Sequence, residues 1–335
     1  MQKLVTNILS TFFINNLDVS TVRVRNFFIF LWRVIHKVKV KRMFKGVGTA
    51  LITPFKQDQS VDLDALKKIV QQQLAGGVDA LIVLGTTGES PVIDYDERRK
   101  IISLVVEEAT GKVPVIVGTG TNNTKKVIEN NQQAEDLKAD GVLIVNPYYN
   151  KGTQESLVEH YKAIYEKSDL PIIIYNVPSR TGMNILPETV IKIYNECRNV
   201  VTIKEASGNI SQIAHLISIK PDSISVLSGN DDQTLAIMAL GGEGVISVFS
   251  NPYPAEMKRI TDAVLKKNLP TAQRLNKKYL AMMNALFVET SPAPVKYVMS
   301  KLGLCENVLR LPLIKASQKA EAVLDVEIEK MEEEK

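Results

Sequence analysis

From Phe44 onward, short apolar runs alternate with longer segments in which apolar positions recur every three or four residues. The runs are GVGTALITP (46–54), DALIVLGTT (79–87), VPVIVGTG (113–120), GVLIVNPYY (141–149), LPIIIYNVP (170–178), VVTIKEASG (200–208), SISVLSGN (223–230) and GVISVFSN (244–251). Each is rich in β-branched residues or leucine and too short for a typical helix, so each predicts a buried strand. Between them, Asp62–Leu74 places Leu63, Leu66, Ile69, Val70 and Leu74 on one helical stripe, and Asp94–Ala109 and Thr124–Leu137 repeat the pattern. The pair Gly76-Gly77 is a natural stop for the first helix.

Strands that alternate with helices pair in parallel, and buried parallel strands read as continuous apolar runs. Eight such units predict an α/β chain folded as a (β/α)8 TIM barrel. The rival is a doubly wound open sheet, whose nucleotide-binding form carries G-x-G-x-x-G after the first strand. The first run here leads instead into ITPFKQDQS. After Asn251 the strand pattern stops, and Pro252–Lys267, Thr271–Leu286, Pro292–Leu302 and Ile314–Glu333 read as helices. The closing EIEKMEEEK reads as a solvated helix end. The predicted organisation is therefore a leader (1–42), a catalytic barrel (43–266) and a C-terminal helical region (267–335).

Charge changes the picture mainly for the leader. Residues 1–42 hold eight Lys or Arg against one acid, Asp18, so their +7 exceeds the whole-chain +4 and leaves the remainder at −3. That remainder gives no reason to expect a nucleic-acid partner. The longest apolar run of the leader, Phe27–Trp32, falls far short of the ~20 residues that span a bilayer. Its basic part follows the apolar part, the reverse of a secretory signal. A membrane-surface helix or a transit peptide is the functional alternative. Against it, MFKGVGTALITPF at Met43 reads as a natural protein start, so the leader is expected to be weakly ordered and without function.

Composition adds exclusions. An apolar content of 45% with 23% charged residues is that of a soluble globular protein. Cys197 and Cys305 make no disulfide framework and no C-x-x-C pair, which fits a reducing cytoplasm. His36, His160 and His215 are scattered, and no H-E-x-x-H motif or Cys/His cluster offers a metal site.

In such a barrel, catalytic groups sit at the C-terminal ends of strands. Lys204 ends the sixth run, and alternation puts Val200, Thr202 and Lys204 on one face, pointing into the barrel. Burial there disfavours the ammonium form, and a neutral amine is a nucleophile that forms a Schiff base with a carbonyl substrate. The alternative is a structural lysine paired with a carboxylate such as Glu89. Other strand ends are polar too: Thr86 and Thr87 in GTTGES, Tyr148 and Tyr149 in NPYYN, Tyr175 and Arg180 in YNVPSRTG, and SGNDD after the seventh run. Taken singly, each tyrosine reads as a rim aromatic and Arg180 as a surface ion pair; their convergence on one mouth favours function. Glu89 and Glu205 read as turn caps or ion-pair partners rather than a glycosidase carboxylate pair. Gly241–Gly244 reads as a turn that feeds the eighth strand rather than as a phosphate site.

GTTGES, GTGTNNT, VNPYYN, YNVPSRTG, IKEASGN, LSGNDD and GVISV, in this order and spacing, resemble the 4-hydroxy-tetrahydrodipicolinate synthase (dihydrodipicolinate synthase) family, within the pyruvate-dependent class I aldolases of the N-acetylneuraminate lyase superfamily. The resemblance runs from about Met43 to about Pro312. It implies condensation of pyruvate with L-aspartate 4-semialdehyde through a Schiff base on Lys204. Tyr175 would be the proton donor and acceptor, with Thr86 and Tyr149 completing a proton relay and Tyr149 serving the neighbouring subunit's site. Thr87 would hold the pyruvate carboxylate and Arg180 that of the semialdehyde, while Gly229 and Ile246 would contribute backbone at the pocket. It further implies no cofactor, a homotetramer built as a dimer of dimers, and a cytoplasmic enzyme without nucleic-acid or membrane partners.

The chain departs from the family pattern in three places. Ser291 stands where many relatives have Asn before the proline of the C-terminal segment. Lys126 occupies the position of a glutamate that contacts the inhibitor in lysine-inhibited relatives, and Arg98 that of a histidine, so weak or absent lysine feedback is expected. The competing readings are another pyruvate-dependent lyase, such as N-acetylneuraminate lyase, and a keto-acid-binding barrel without catalysis.

Overall fold

The structure, a computed structural model, describes residues 43–333. The expectations for the leader lie outside the described residues. Residues 43–333 cluster as one compact unit.

Eight strands follow one another in chain order: β1 (Gly46–Ala50), β2 (Ala80–Val83), β3 (Val115–Gly118), β4 (Gly141–Val145), β5 (Ile172–Asn176), β6 (Val200–Glu205), β7 (Ser225–Ser228) and β8 (Gly244–Ser247). Each pairs in parallel with the next, and β8 pairs with β1, so the sheet closes into a barrel. The strands are almost entirely buried, which is why they read as unbroken apolar runs rather than alternating ones.

The crossover helices are α1 (Leu63–Ala75), α2 (Tyr95–Ala109), α3 (Thr124–Asp136), α4 (Gln154–Tyr165), α5 (Pro187–Glu196), α6 (Ile210–Ile219), α7 (Thr234–Ala239) and α8 (Pro254–Leu265). Their starts are locally encoded. The side chains of Asp62, Asn123, Thr153 and Asn209 accept backbone N–H groups of the first turns of α1, α3, α4 and α6. Asp94 and Glu97 form a full capping box on α2. Three further helices, α9 (Leu269–Ala285), α10 (Ala293–Lys301) and α11 (Gln318–Glu333), complete the unit.

Two apolar layers result. The inner one fills the barrel and includes Phe44, Ala80, Ile82, Ile116, Leu143, Ile173, Tyr175, Leu227 and Ile246. The outer one lies between strands and helices and contains, among others, Val47, Leu81, Val117, Ile174 and Ile203.

Three expectations are corrected. The alternation predicted for the sixth strand breaks at its start: Ile172 pairs with Val200 but Ile173 with Thr202, so a bulge at Val201 turns Val200 into the outer layer. Helix α11 begins at Gln318 instead of Ile314, because the Ser317 hydroxyl accepts the Ala320 N–H and caps it there. Its end is not simply solvated, since Leu324, Ile328 and Met331 are buried as α11 packs on α9 and α10.

Candidate active site

The strand ends converge on a pocket of about 490 Å³. Its walls come from Thr86 and Thr87 after β2, Tyr175 and Val177 on β5 and just beyond, Lys204 and Ala206 at the end of β6, Gly229 and Asn230 after β7, and Val248 after β8. Ser179 and Arg180, in a one-turn helix at Pro178–Thr181, and the connection Phe287–Ser291 between α9 and α10 close the rim.

Lys204 is the centre of this arrangement. It is 5% exposed, and its Nζ lies 4.1 Å from the centroid of the Tyr175 ring. The two residues are register partners on β6 and β5, with Cα atoms side by side in the ladder. Glu89 is not its partner. The Glu89 carboxylate lies 2.5 Å from the ammonium of Lys296, a fully buried lysine on α10. Among the described residues no carboxylate is within salt-bridge distance of Lys204. Glu205, the next residue, points away from the pocket. Its carboxylate accepts from Asn176 Nδ2 at 3.1 Å and the Ser207 N–H at 2.8 Å, and burial pushes its carboxyl above the usual range.

Two features frame the lysine. At Gly229 an added Cβ would lie 2.6 Å from Ala206 Cβ and 3.1 Å from Lys204 Cε, so only glycine leaves the lysine stem its path. The fully buried carboxylate of Asp231 accepts the Val248 and Phe249 N–H groups at 3.0 and 2.9 Å, tying the end of β7 to the end of β8. Burial raises its pKa, whereas the hydrogen bonds to this carboxylate and the Lys204 charge act in the opposite sense.

The threonine turn is held by a strained frame. Leu84 and Glu89, which bracket Gly85–Gly88, are both left-handed, at φ 57° and 53°. For non-glycine residues such conformations cost roughly 1–3 kcal/mol each. Gly118 makes the first of them possible, since a Cβ there would sit 2.0 Å from the Leu84 carbonyl oxygen. The Gly88 carbonyl accepts the buried Thr53 hydroxyl at 2.7 Å. Arg180 donates from Nη2 to the Ser291 carbonyl at 3.2 Å, which aims the guanidinium across the rim.

The electrostatics favour an anionic ligand. The charged lining residues are Lys204, Arg180 and Glu289, and the Glu289 carboxylate already accepts the Ser317 N–H and hydroxyl, which hold it below the usual carboxylate range. A small molecule with a carboxylate and a carbonyl finds cations, hydroxyls and an amine within one pocket.

Two of the expected residues lie elsewhere. Tyr149 is on the loop between β4 and α4, 90% exposed, with a left-handed φ of 69°, and does not line this pocket. Ile246 is buried in the inner layer with Tyr175 and Leu227 and does not line it either. Neither Gly241 nor Gly244 reaches it: both lie in or beside the turn before β8, at the opposite end of that strand. Arg98 is buried, donating to the Gly118 carbonyl and Gln133 Oε1 at 3.2 and 3.3 Å, and burial lowers its pKa to about 10. Lys126 is exposed and pairs with Glu129.

Sequence reasoning missed the wall formed by Phe287–Ser291 because no strand precedes it. It also missed Lys296, although a lysine in the apolar helix APVKYVM was a signal of the same kind as Lys204.

Comparison with known proteins agrees with this geometry. The Dihydrodipicolinate synthetase family model matches residues 43–331. The 4-hydroxy-tetrahydrodipicolinate synthase of Thermotoga neapolitana is 52% identical over 285 residues, covering 84% of this chain and 97% of that one. The crystal structure of dihydrodipicolinate synthase from Thermotoga maritima superposes with a TM-score of 0.84 at 49% identity, over 86% of this chain and 98% of that one. That of the chloride-inhibited dihydrodipicolinate synthase from Acinetobacter baumannii complexed with pyruvate does so with a TM-score of 0.83 at 36% identity, over 85% and 98%. The chain belongs to the dihydrodipicolinate synthetase family.

Proposed function

We propose that the pocket condenses pyruvate with L-aspartate 4-semialdehyde to give 4-hydroxy-tetrahydrodipicolinate, a lyase step of lysine and diaminopimelate biosynthesis. The observation that carries this reading is Lys204, buried against the Tyr175 ring in a pocket lined by Thr86, Thr87 and Arg180. The Lys204 amine attacks the pyruvate carbonyl carbon, and loss of water leaves a Schiff base. Removal of a methyl proton gives the enamine, whose carbon attacks the aldehyde of the semialdehyde. The substrate amine then attacks the imine carbon, closing the ring and freeing the lysine; one water is released overall.

The side chains divide the work by chemistry. Tyr175 and Thr86 shuttle protons through their hydroxyls, which needs no additional buried charge. Thr87 holds the pyruvate carboxylate, and the Gly229 backbone lies beside the lysine stem. Arg180 takes the semialdehyde carboxylate, a contact that suits a planar guanidinium. Ile246 supports the floor from the inner layer.

Tyr149 completes the relay in a second copy of the chain, within a dimer of dimers. Its exposure and left-handed backbone present the phenol outward, away from its own pocket. We place the reaction in the cytoplasm, in keeping with two free cysteines. Among the described residues no helix is long and apolar enough to cross a membrane.

Borohydride trapping with pyruvate, read by intact mass, tests the mechanism. An adduct is expected in the unsubstituted chain and in Arg180→Ala, and none in Lys204→Ala. A coupled assay that offers pyruvate with either the semialdehyde or N-acetylmannosamine tests the substrate. Absence of any adduct would leave a keto-acid-binding barrel, and turnover with the sugar alone would point to an N-acetylneuraminate lyase.

A further inference from the structure

We infer that Lys296 and Glu89 are positioning residues for this reaction: a buried strut through which helix α10 holds the Thr86–Thr87 turn on one side of the pocket and Arg180 on the other. The inference rests on the reading of the pocket given above.

The pair is built at atomic contact and lies outside the pocket. Lys296 Nζ is 2.5 Å from Glu89 Oε1, donates to the Val308 carbonyl at 2.9 Å and lies 4.0 Å from the centroid of the Phe55 ring. The second Glu89 oxygen accepts the Arg310 N–H at 3.1 Å. The Arg310 guanidinium covers the same Phe55 ring at 4.4 Å and is fixed by Glu97 and by the Gln59 and Val92 carbonyls. Both charges are buried, and burial lowers the Lys296 pKa even against the raising effect of Glu89.

As a source of fold stability this is a poor arrangement, because desolvating two ions offsets most of their attraction and an apolar pair would serve as well. Its placement gives it another consequence. Glu89 is the left-handed residue at which the threonine turn ends, and its N–H donates to the Thr86 carbonyl at 3.1 Å. Pinning the Glu89 side chain therefore pins the backbone that carries Thr86 and Thr87. At the other end, Ser291 directly precedes Pro292 and α10, lines the pocket, and accepts Arg180 through its carbonyl. Lys296 donates its own N–H to the Pro292 carbonyl at 3.0 Å, so the first turn of α10 links Lys296 to the residue that directly follows Ser291. That turn rises about 6 Å from Pro292 to Lys296, and its rigid length links the segment that holds Arg180 to the side chain that holds the threonine turn. The C-terminal helices thus act on the two carboxylate-binding sides of the pocket at once.

Three full-length variants separate positioning from plain stability: Lys296→Met, Glu89→Gln, and the two combined. Each is measured for Tm, for the fraction of chains trapped by borohydride with pyruvate, and for kcat and KM with both substrates per trappable site. Lys296→Met leaves a buried carboxylate unpaired and is expected to lose Tm and to lower kcat/KM. The double variant removes both charges and is expected to regain most of the lost Tm while kcat/KM per trappable site stays roughly ten- to hundredfold below the unsubstituted chain, chiefly through KM. Should Lys296→Met fail to fold, the nearly isosteric Glu89→Gln carries the comparison. Kinetic constants within about twofold of the unsubstituted values in the double variant, or in Glu89→Gln where it stands alone, would overturn the inference. Failure of the underlying reading shows differently, as absence of any adduct in the unsubstituted chain.

Discussion

The Lys204 nitrogen lies 4.1 Å from the centre of the Tyr175 ring, on the neighbouring strand and in direct register. Lysine and phenol share one inward face of the barrel, so either can be altered while the other stays put. Tyr175→Phe keeps the ring against the lysine and removes only the hydroxyl. It is expected to form the pyruvate adduct but turn over about 10²–10⁴-fold more slowly, the usual loss for a proton-transfer group. Adduct by mass and steady-state kcat measure the two separately; unchanged kcat would take Tyr175 out of the relay.

Gly229 tests the space around the lysine stem. In Gly229→Ala the new methyl meets Ala206 Cβ and Lys204 Cε at 2.6 and 3.1 Å, so the lysine must shift. A misplaced nucleophile loses rate steeply, and a fall of roughly tenfold or more in the rate of adduct formation is expected. Stopped borohydride trapping at fixed pyruvate reads that rate directly.

The role proposed for Tyr149 ties activity to association. The phenol is 90% exposed and outside its own pocket. If it serves a second copy, specific activity falls on dilution in step with dissociation followed by light scattering or sedimentation. Tyr149→Phe lowers kcat while the assembly persists. Constant activity through dissociation to monomers would remove Tyr149 from the relay.

His160 sets part of the acid limit. Its Nδ1 is 2.9 Å from the Thr124 hydroxyl, its Nε2 is buried without a hydrogen-bond partner among the described residues, and burial lowers its pKa from 6.5 to about 4. The unfolded chain binds this proton first, so the folded state loses stability as pH falls from about 6.5 toward 4. The loss attributable to this group is about 3 kcal/mol at most. Urea midpoints measured from pH 7 to 4 should show a shallower decline in His160→Asn than in the unsubstituted chain.

Lysine feedback is expected to be weak or absent. Arg98 is buried against Gly118 and Gln133, and Lys126 presents a second cation on α3, paired with Glu129. Like charges repel the inhibitor's ammonium groups. Half-inhibition of steady-state turnover at sub-millimolar lysine would contradict this.

What the chain dictated unaided is the local part. Closed-sheet strands buried on both faces are mostly apolar, and helices between them show one apolar stripe, so all eight strands were readable, as were helices such as α1–α3 and α8–α10. Because the barrel puts every strand end at one mouth, position along the chain translated into place in the pocket for Thr86, Thr87, Tyr175, Arg180, Lys204 and Gly229. Tertiary structure alone decided the rest. It gave Glu89 to Lys296 rather than Lys204, turned Val200 outward through a bulge, and brought Phe287–Ser291 over the pocket. Periodicity reports only which face of an element is dry; which distant charge meets another inside that dry space depends on how the elements pack, and no local pattern carries it.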